Sequence, residues 1–135
     1  MGDTGLLVTH AFWNDRFSDN TLYKAILAGR LNVNEGMLTE NVVAQSFRAN
    51  GRRLFFYSCG GETSGDRMEI DFLIRRDKKI CPVEVKSSTF KRHTSLDKFM
   101  KKFSRRIGES FILYQGDVMR REGVIHLPLY MAGLL

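Results

Sequence analysis

The chain reads as a single α/β domain, a mixed β-sheet covered by helices, and three observations predict it. Two apolar runs, Glu69 to Ile74 and Ile80 to Lys86, alternate in the manner of strands on either side of the charged turn Arg76-Asp77-Lys78-Lys79. Two stretches carry apolar residues at helical spacing: Met37, Glu40, Val43, Ala44 and Phe47 share one stripe, and Leu96, Phe99, Met100, Phe103 and Ile107 share another. Two further strand-like runs, Phe111 to Tyr114 and Gly123 to Leu127, follow the second helix. Helices, a three-strand meander, a crossover helix and more strand make an α/β sandwich, in which a parallel strand after the Leu96 helix would require the usual right-handed crossover.

Each element has its own signal. Leu6 to Trp13 is apolar and short enough for either a helix or a strand. Ser18-Asp19-Asn20 caps a helix through Leu27, with Leu22/Ile26 and Tyr23/Leu27 four apart, and Ala28-Gly29 ends it. Residues 30–35 connect to a helix over Gly36 to Asn50, which stops at Asn50-Gly51. Leu54 to Ser58 is the first strand, and Cys59 to Arg67, rich in Gly, Ser and Thr, is a hairpin loop. It contains no Gly-Lys-Ser/Thr and opens no helix, so it is no phosphate loop. Met68 to Arg75 and Ile80 to Ser87 are the second and third strands. Pro128 suits the first turn of a short terminal helix, Leu129 to Leu135.

At 135 residues, 43% hydrophobic and 27% charged, the composition is that of one folded domain with a proper core. No apolar run reaches the length of a membrane span and no signal peptide is visible, so a cytoplasmic protein without a membrane partner is expected. Cys59 and Cys81 are far apart and read as free thiols, and the scattered His10, His93 and His126 give no support for zinc. The net charge of +6 is local. Lys91, Arg92, Lys98, Lys101, Lys102, Arg105 and Arg106 face a single acid in that segment, Asp97, and the rest of the chain balances. A basic stripe opposite the apolar face of a helix is either a solvated face or a phosphate-binding one.

The two central runs carry carboxylates where a core strand would carry Val or Ile. Asp71 stands in the first; Glu84 and Lys86 share one face of the second. If the runs pair, Asp71, Glu84 and Lys86 converge on one polar spot. On the helix, Glu40 falls on the inward stripe, where a carboxylate is costly unless paired, hydrogen-bonded or metal-bound. Ile70, Phe72 and Ile74 share the face opposite Glu69 and Asp71. Carboxylates with an adjacent ammonium suit a hard divalent cation and a water held beside it.

The order Glu40, Asp71, Glu84-Val85-Lys86 resembles the signature of the PD-(D/E)XK nuclease superfamily. Further segments recur with it: Asp3-x-Gly5-Leu6-Leu7, Glu35-Gly36-Met37-Leu38-Thr39-Glu40-Asn41, Glu69-Ile70-Asp71-Phe72, Pro82 through Ser88, and Ser95-Leu96-x-x-Phe99. Together they are similar to the nuclease-like C-terminal domain of unknown function that follows the ATP-binding module in many prokaryotic AAA-type ATPases. The resemblance covers nearly the whole chain; Ile70 stands where the superfamily has Pro.

The resemblance implies a restriction-endonuclease-like sandwich over residues 1–135, as the C-terminal part of a longer ATPase whose own ATP-binding module lies outside this chain. It implies a metal-dependent nuclease site: Glu40, Asp71, Glu84 and Lys86 as the catalytic group, with Mg²⁺ or Mn²⁺ on Asp71, Glu84, the Val85 carbonyl and Glu40. Lys86 would orient water or offset phosphate charge, while the seven basic residues from Lys91 to Arg106 contact nucleic acid, DNA before RNA. The alternative is a non-catalytic nucleic-acid- or protein-binding module of the ATPase, because a fold does not fix an activity.

Overall fold

The computed structural model describes Leu6, Ala28 and residues 35–60, 67–87 and 93–135. The elements expected over 6–13 and 18–27 lie outside these but for Leu6, as do most of the glycine-rich loop, Lys91 and Arg92.

Helix α1 spans Glu35–Ala49, as its periodicity predicts. Strands β1 (Tyr57–Cys59) and β2 (Met68–Ile70) form a small antiparallel pair. The main sheet holds β3 (Phe72–Arg76), β4 (Lys79–Val85), β5 (Ser110–Tyr114), β6 (Met119–Arg121) and β7 (Val124–Pro128), in the order β3-β4-β5-β7-β6. β4, β5 and β7 run parallel, while β3 and β6 pair antiparallel at the edges. Helix α2 (Thr94–Lys102) lies between β4 and β5 in sequence, and a 3₁₀ turn over Leu129–Leu134 closes the chain. This is the mixed α/β sandwich that the pattern predicts.

Each face of the sheet has its own core. Val43 and Phe47 of α1 pack on Phe72, Ile74, Val83 and Val85, with Ala132 and Leu135 beside them. Phe47 meets Phe72 edge-on at 5.3 Å between ring centres. On the other face Leu96 and Phe99 of α2 pack on Ile70, Ile112, Tyr114 and Val124. Met100, Phe103 and Ile107 join that cluster, so the second apolar stripe is buried as expected. β5 is buried along its whole length, as befits a strand covered on both sides.

Four expectations need correction. The strand expected over Met68 to Arg75 is broken at Asp71, and Ile70 packs on the α2 face while Phe72 and Ile74 pack on the α1 face. A single unpaired residue reverses the alternation of everything after it. The first strand begins at Tyr57 rather than Leu54, although the Leu73 N–H still reaches the Phe55 carbonyl at 2.7 Å. α2 stops at Lys102 instead of running to Ile107, because the chain beyond it is taken into the sheet: Ile80 pairs with Ile107, and the Ile80 N–H donates to the Arg106 carbonyl at 3.0 Å. Gly108 permits this approach, since a Cβ there would stand 3.1 Å from that of Lys79. The short exposed edge strand β6 was not expected; it turns into β7 through Glu122 and Gly123, both at positive φ, the geometry of a type I′ hairpin. Among the described residues no helix is long and apolar enough to cross a membrane, and both cysteines are free thiols.

Candidate active site

The break at Asp71 makes the site. β2 leaves the main sheet to pair with β1, so the last residues of β4 lose a backbone partner on that side. The Asp71 carboxylate takes its place, accepting the Val85 N–H at 2.7 Å through Oδ2. The ladder ends at Phe72↔Val83, so Asp71 and Glu84 are the residues just beyond it on the two segments. Glu84 lies on the α2 face, beside Ile112 of β5, and is only 6% exposed. Its Oε1 pairs with the Lys86 ammonium, whereas its Oε2 is buried with no hydrogen-bond partner among the described residues. Lys86 is held by its own backbone, whose N–H donates to the Leu113 carbonyl at 2.8 Å.

The electrostatics follow from this crowding. Burial pushes the Asp71 carboxyl up to about 6, and the carboxylates of Glu40 and Glu84 add to the rise, while the Val85 N–H and the Lys86 ammonium oppose it. Glu40 is also raised, first by desolvation and then by Glu69, with Lys86 pulling the other way.

Asp71, Glu84 and Lys86 thus meet at one end of the sheet, and Glu40 is near enough to influence Asp71 electrostatically. The expected burial of Glu40 is overturned: it is an exposed residue. The stripe it belongs to buries only from Val43 onward, and Met37 and Glu40 continue it past the covered part of α1. Glu40 therefore stands at the open rim, not within the core.

The donor chemistry fits a hard, oxygen-seeking cation, and a buried carboxylate oxygen without a partner is the atom such a cation would satisfy. Among the described residues no three His, Cys, Asp or Glu side chains converge closely enough to form a complete ligand set. Asp71 and Glu84 would be a two-carboxylate anchor, with water filling the remaining positions, the manner in which Mg²⁺ is commonly held.

The last residues of the basic segment lie apart from this cluster. Lys101, Lys102, Arg105 and Arg106 are exposed and Lys98 is half-buried. The Lys79 ammonium donates to the Arg105 carbonyl at 2.7 Å and the Ile80 N–H to that of Arg106 at 3.0 Å, so Arg105 and Arg106 stand at the start of β4, ~17 Å along the strand from Glu84, while Lys102 reaches the Tyr57 hydroxyl of β1 at 3.4 Å.

Two functional candidates escaped the sequence reading. His93 and His126 are buried, with ring centres 6.4 Å apart, and His126 lies in the same cross-sheet row as Ile112 and Glu84. Burial, then His93, then Arg121 lower the His126 pKa. The available signal was its alternation with the inward Val124.

Residues 35–131 match the model of the family described as Domain of unknown function (DUF4143). The chain belongs to that family. No curated protein and no solved structure matches it. The DUF4143 region takes in α1, the whole sheet and α2, so the entire polar cluster from Glu40 to Lys86 lies inside it.

Proposed function

We infer that this domain is a divalent-metal-dependent phosphodiesterase of the PD-(D/E)XK type, acting on nucleic acid, with DNA favoured over RNA. The observation that carries the reading is the pair Asp71 and Glu84 at the end of the β3–β4 ladder, Asp71 tied to the Val85 N–H, with a buried Glu84 oxygen that has no hydrogen-bond partner among the described residues and Lys86 alongside. Phosphodiester cleavage needs backbone charge neutralised, a water made nucleophilic and the leaving oxygen stabilised. Bound Mg²⁺ or Mn²⁺ would supply Lewis acidity. Asp71 and Glu84 would hold it, with the Val85 carbonyl as a further oxygen donor and rim-placed Glu40 acting through water. Lys86, fixed by Glu84, would direct an ammonium at the phosphate or the attacking water. The Val85 N–H keeps Asp71 oriented, so one carboxylate both ends the ladder and faces the site.

The test is nicking of supercoiled plasmid and of single-stranded DNA with Mg²⁺ or Mn²⁺, alongside a Lys86→Ala control. Calorimetry should show metal binding in Lys86→Ala but none in Asp71→Ala or Glu84→Ala, because an ammonium is no cation's ligand. Cleavage that survives in Glu84→Ala sinks the assignment. A second reading, a non-catalytic binding or assembly module of an AAA-type ATPase, draws on the exposure of Glu40 and the incomplete ligand set. It is favoured if the wild-type chain binds metal and nucleic acid yet cleaves neither DNA nor RNA.

A further inference from the structure

A second feature sits beside the acidic cluster on the other flank of β3. After α1 the chain runs Arg52-Arg53-Leu54-Phe55-Phe56 before β1 begins. The Leu73 N–H donates to the Phe55 carbonyl at 2.7 Å, and among the described residues no further backbone bond joins this connector to β3 toward Arg75. The two chains part there, leaving a groove of about 480 Å³ lined by Arg52, Arg53, Phe55, Leu73, Ile74 and Arg75.

Its chemistry is unusual for a surface that meets only water. Phe55 is 57% and Phe56 75% exposed, adjacent aromatic rings left outside the core. Arg53 and Arg75 are exposed and make no ion pair among the described residues. Arg52 and Arg76 have structural duties: the Arg52 guanidinium donates to the Leu135 carbonyl, and Arg76 pairs with Glu109 at 2.9 Å on the opposite face. The backbone bond at Leu73 fixes the main chain of Phe55, so its ring is displayed from a positioned support. Cationic side chains flanking exposed aromatic rings are the elements that hold unpaired nucleotides: arginines on phosphates and a ring face on a base.

We propose that this groove binds a single strand of nucleic acid, with Arg53 and Arg75 on successive phosphates and a base stacked on Phe55. A duplex is disfavoured, because its bases are stacked on one another and offer a groove only their edges. Leu73 is two residues from Asp71, a step of ~7 Å, so the groove lies close to the carboxylate cluster. The proposal shares with the nuclease reading only the class of ligand. It stands on residues that take no part in the metal site.

Fluorescence anisotropy of labelled 12-mers in EDTA, where no metal-dependent cleavage can occur, tests it with the full chain. The arms are an oligo-dT strand, an oligo-rU strand, a DNA duplex of equal length and an oligo-glutamate peptide. Single strands should bind more tightly than the duplex, and the two single-stranded arms report which sugar is preferred. Phe55→Ala should weaken single-strand binding by about tenfold while Phe55→Trp preserves it. Arg53→Ala and Arg75→Ala should each lower the log–log salt slope by ~0.7. Phe55 is exposed, so these variants should keep the wild-type circular dichroism spectrum. Duplex or peptide binding equal to that of oligo-dT, or an unchanged affinity in Phe55→Ala, overturns the proposal. The outcomes separate from those of the nuclease reading: Phe55-dependent binding without cleavage removes the nuclease and leaves the groove, and cleavage without Phe55-dependent binding does the reverse.

Discussion

The two ends of β4 handle charge in opposite ways. At its finish, Glu84 is buried, Lys86 is paired with it, and Asp71 is locked to a backbone N–H. At its start, Lys79, Arg105 and Arg106 are exposed, and the Lys79–Arg105 contact runs to a main-chain carbonyl. Charges at the first end are few, desolvated and mutually coupled; those at the second are many, solvated and screened by salt. A buried carboxylate left partly unsatisfied costs the fold free energy, and it persists where a ligand or a reaction uses it. An exposed lysine carries no such implication. The acidic end is therefore the stronger evidence for chemistry, although the basic end holds more charges.

The largest effect should come from breaking the acidic end. Glu84→Ala or Asp71→Ala should reduce metal-dependent nicking by at least about a hundredfold, the order seen when a directly acting group is lost from a preorganised site. Lys101→Ala with Lys102→Ala should leave turnover at saturating substrate within about twofold, because Lys102 sits against Tyr57 and Phe103 and makes no contact with Asp71, Glu84 or Lys86 among the described residues, so this pair can help to hold substrate without serving the reacting phosphate. A nicking assay over a range of plasmid concentrations separates the two. Loss of turnover at saturation in the lysine pair would move the site to the basic end.

The next effect is thermodynamic and has a definite sign. The Asp71 carboxyl is held at about 6 in the fold, against 3.8 for an unperturbed aspartate. An acid raised on folding favours the folded state when protonated, so its ionisation costs stability as pH rises through about 6, and the cost vanishes below the unfolded value. Asp71→Asn keeps an oxygen for the Val85 N–H and removes the charge. In EDTA at pH 8 it should be more stable than wild type by on the order of 1–3 kcal/mol, and the two should converge near pH 4. His126 works the other way: its lowered pKa makes the fold lose stability as pH drops below the usual histidine range. That contribution is common to both proteins and cancels in their difference. Denaturant melts across pH 4–8 would show it, and a difference independent of pH would mean that Asp71 is not desolvated in the fold.

The same contrast explains what the sequence made legible. Helical spacing marked α1 and the apolar face of α2, because those helices bury one side and repeat, and apolar runs marked β4, β5 and β7, which are covered on both faces. Asp71, Glu84 and Lys86 could be found because charged residues interrupt apolar runs there. The bend at Asp71 left no such mark: Ile70, Phe72 and Ile74 are all apolar, and only pairing decides that they divide between two cores. Glu40 was misplaced because periodicity gives the direction of a side chain and not how far along the helix the cover extends. β6, three exposed residues long, has no periodicity to show. The end of α2 was hidden for a tertiary reason, since the pattern continues to Ile107 while Ile80 draws the chain into the sheet.

The smallest effect belongs to the basic end, and it tests whether that end does anything beyond staying in solution. Arg105 is held by its carbonyl through Lys79, and Arg106 by its carbonyl through Ile80, so removing either guanidinium leaves the local backbone in place. Among the described residues Lys102 meets the Tyr57 hydroxyl at 3.4 Å and lies over the Phe103 ring. Alanine at Arg105 and Arg106 should therefore change stability by no more than about 0.5 kcal/mol, the usual range for surface substitutions. If these residues meet duplex phosphates, each loss should flatten the log–log salt dependence of DNA binding by ~0.9 and weaken affinity alike for all sequences. Binding titrations at three or more salt concentrations measure that slope directly. An unchanged slope in the double variant would return this end of β4 to the role of a solvated surface and leave nucleic-acid contact to the flank of β3.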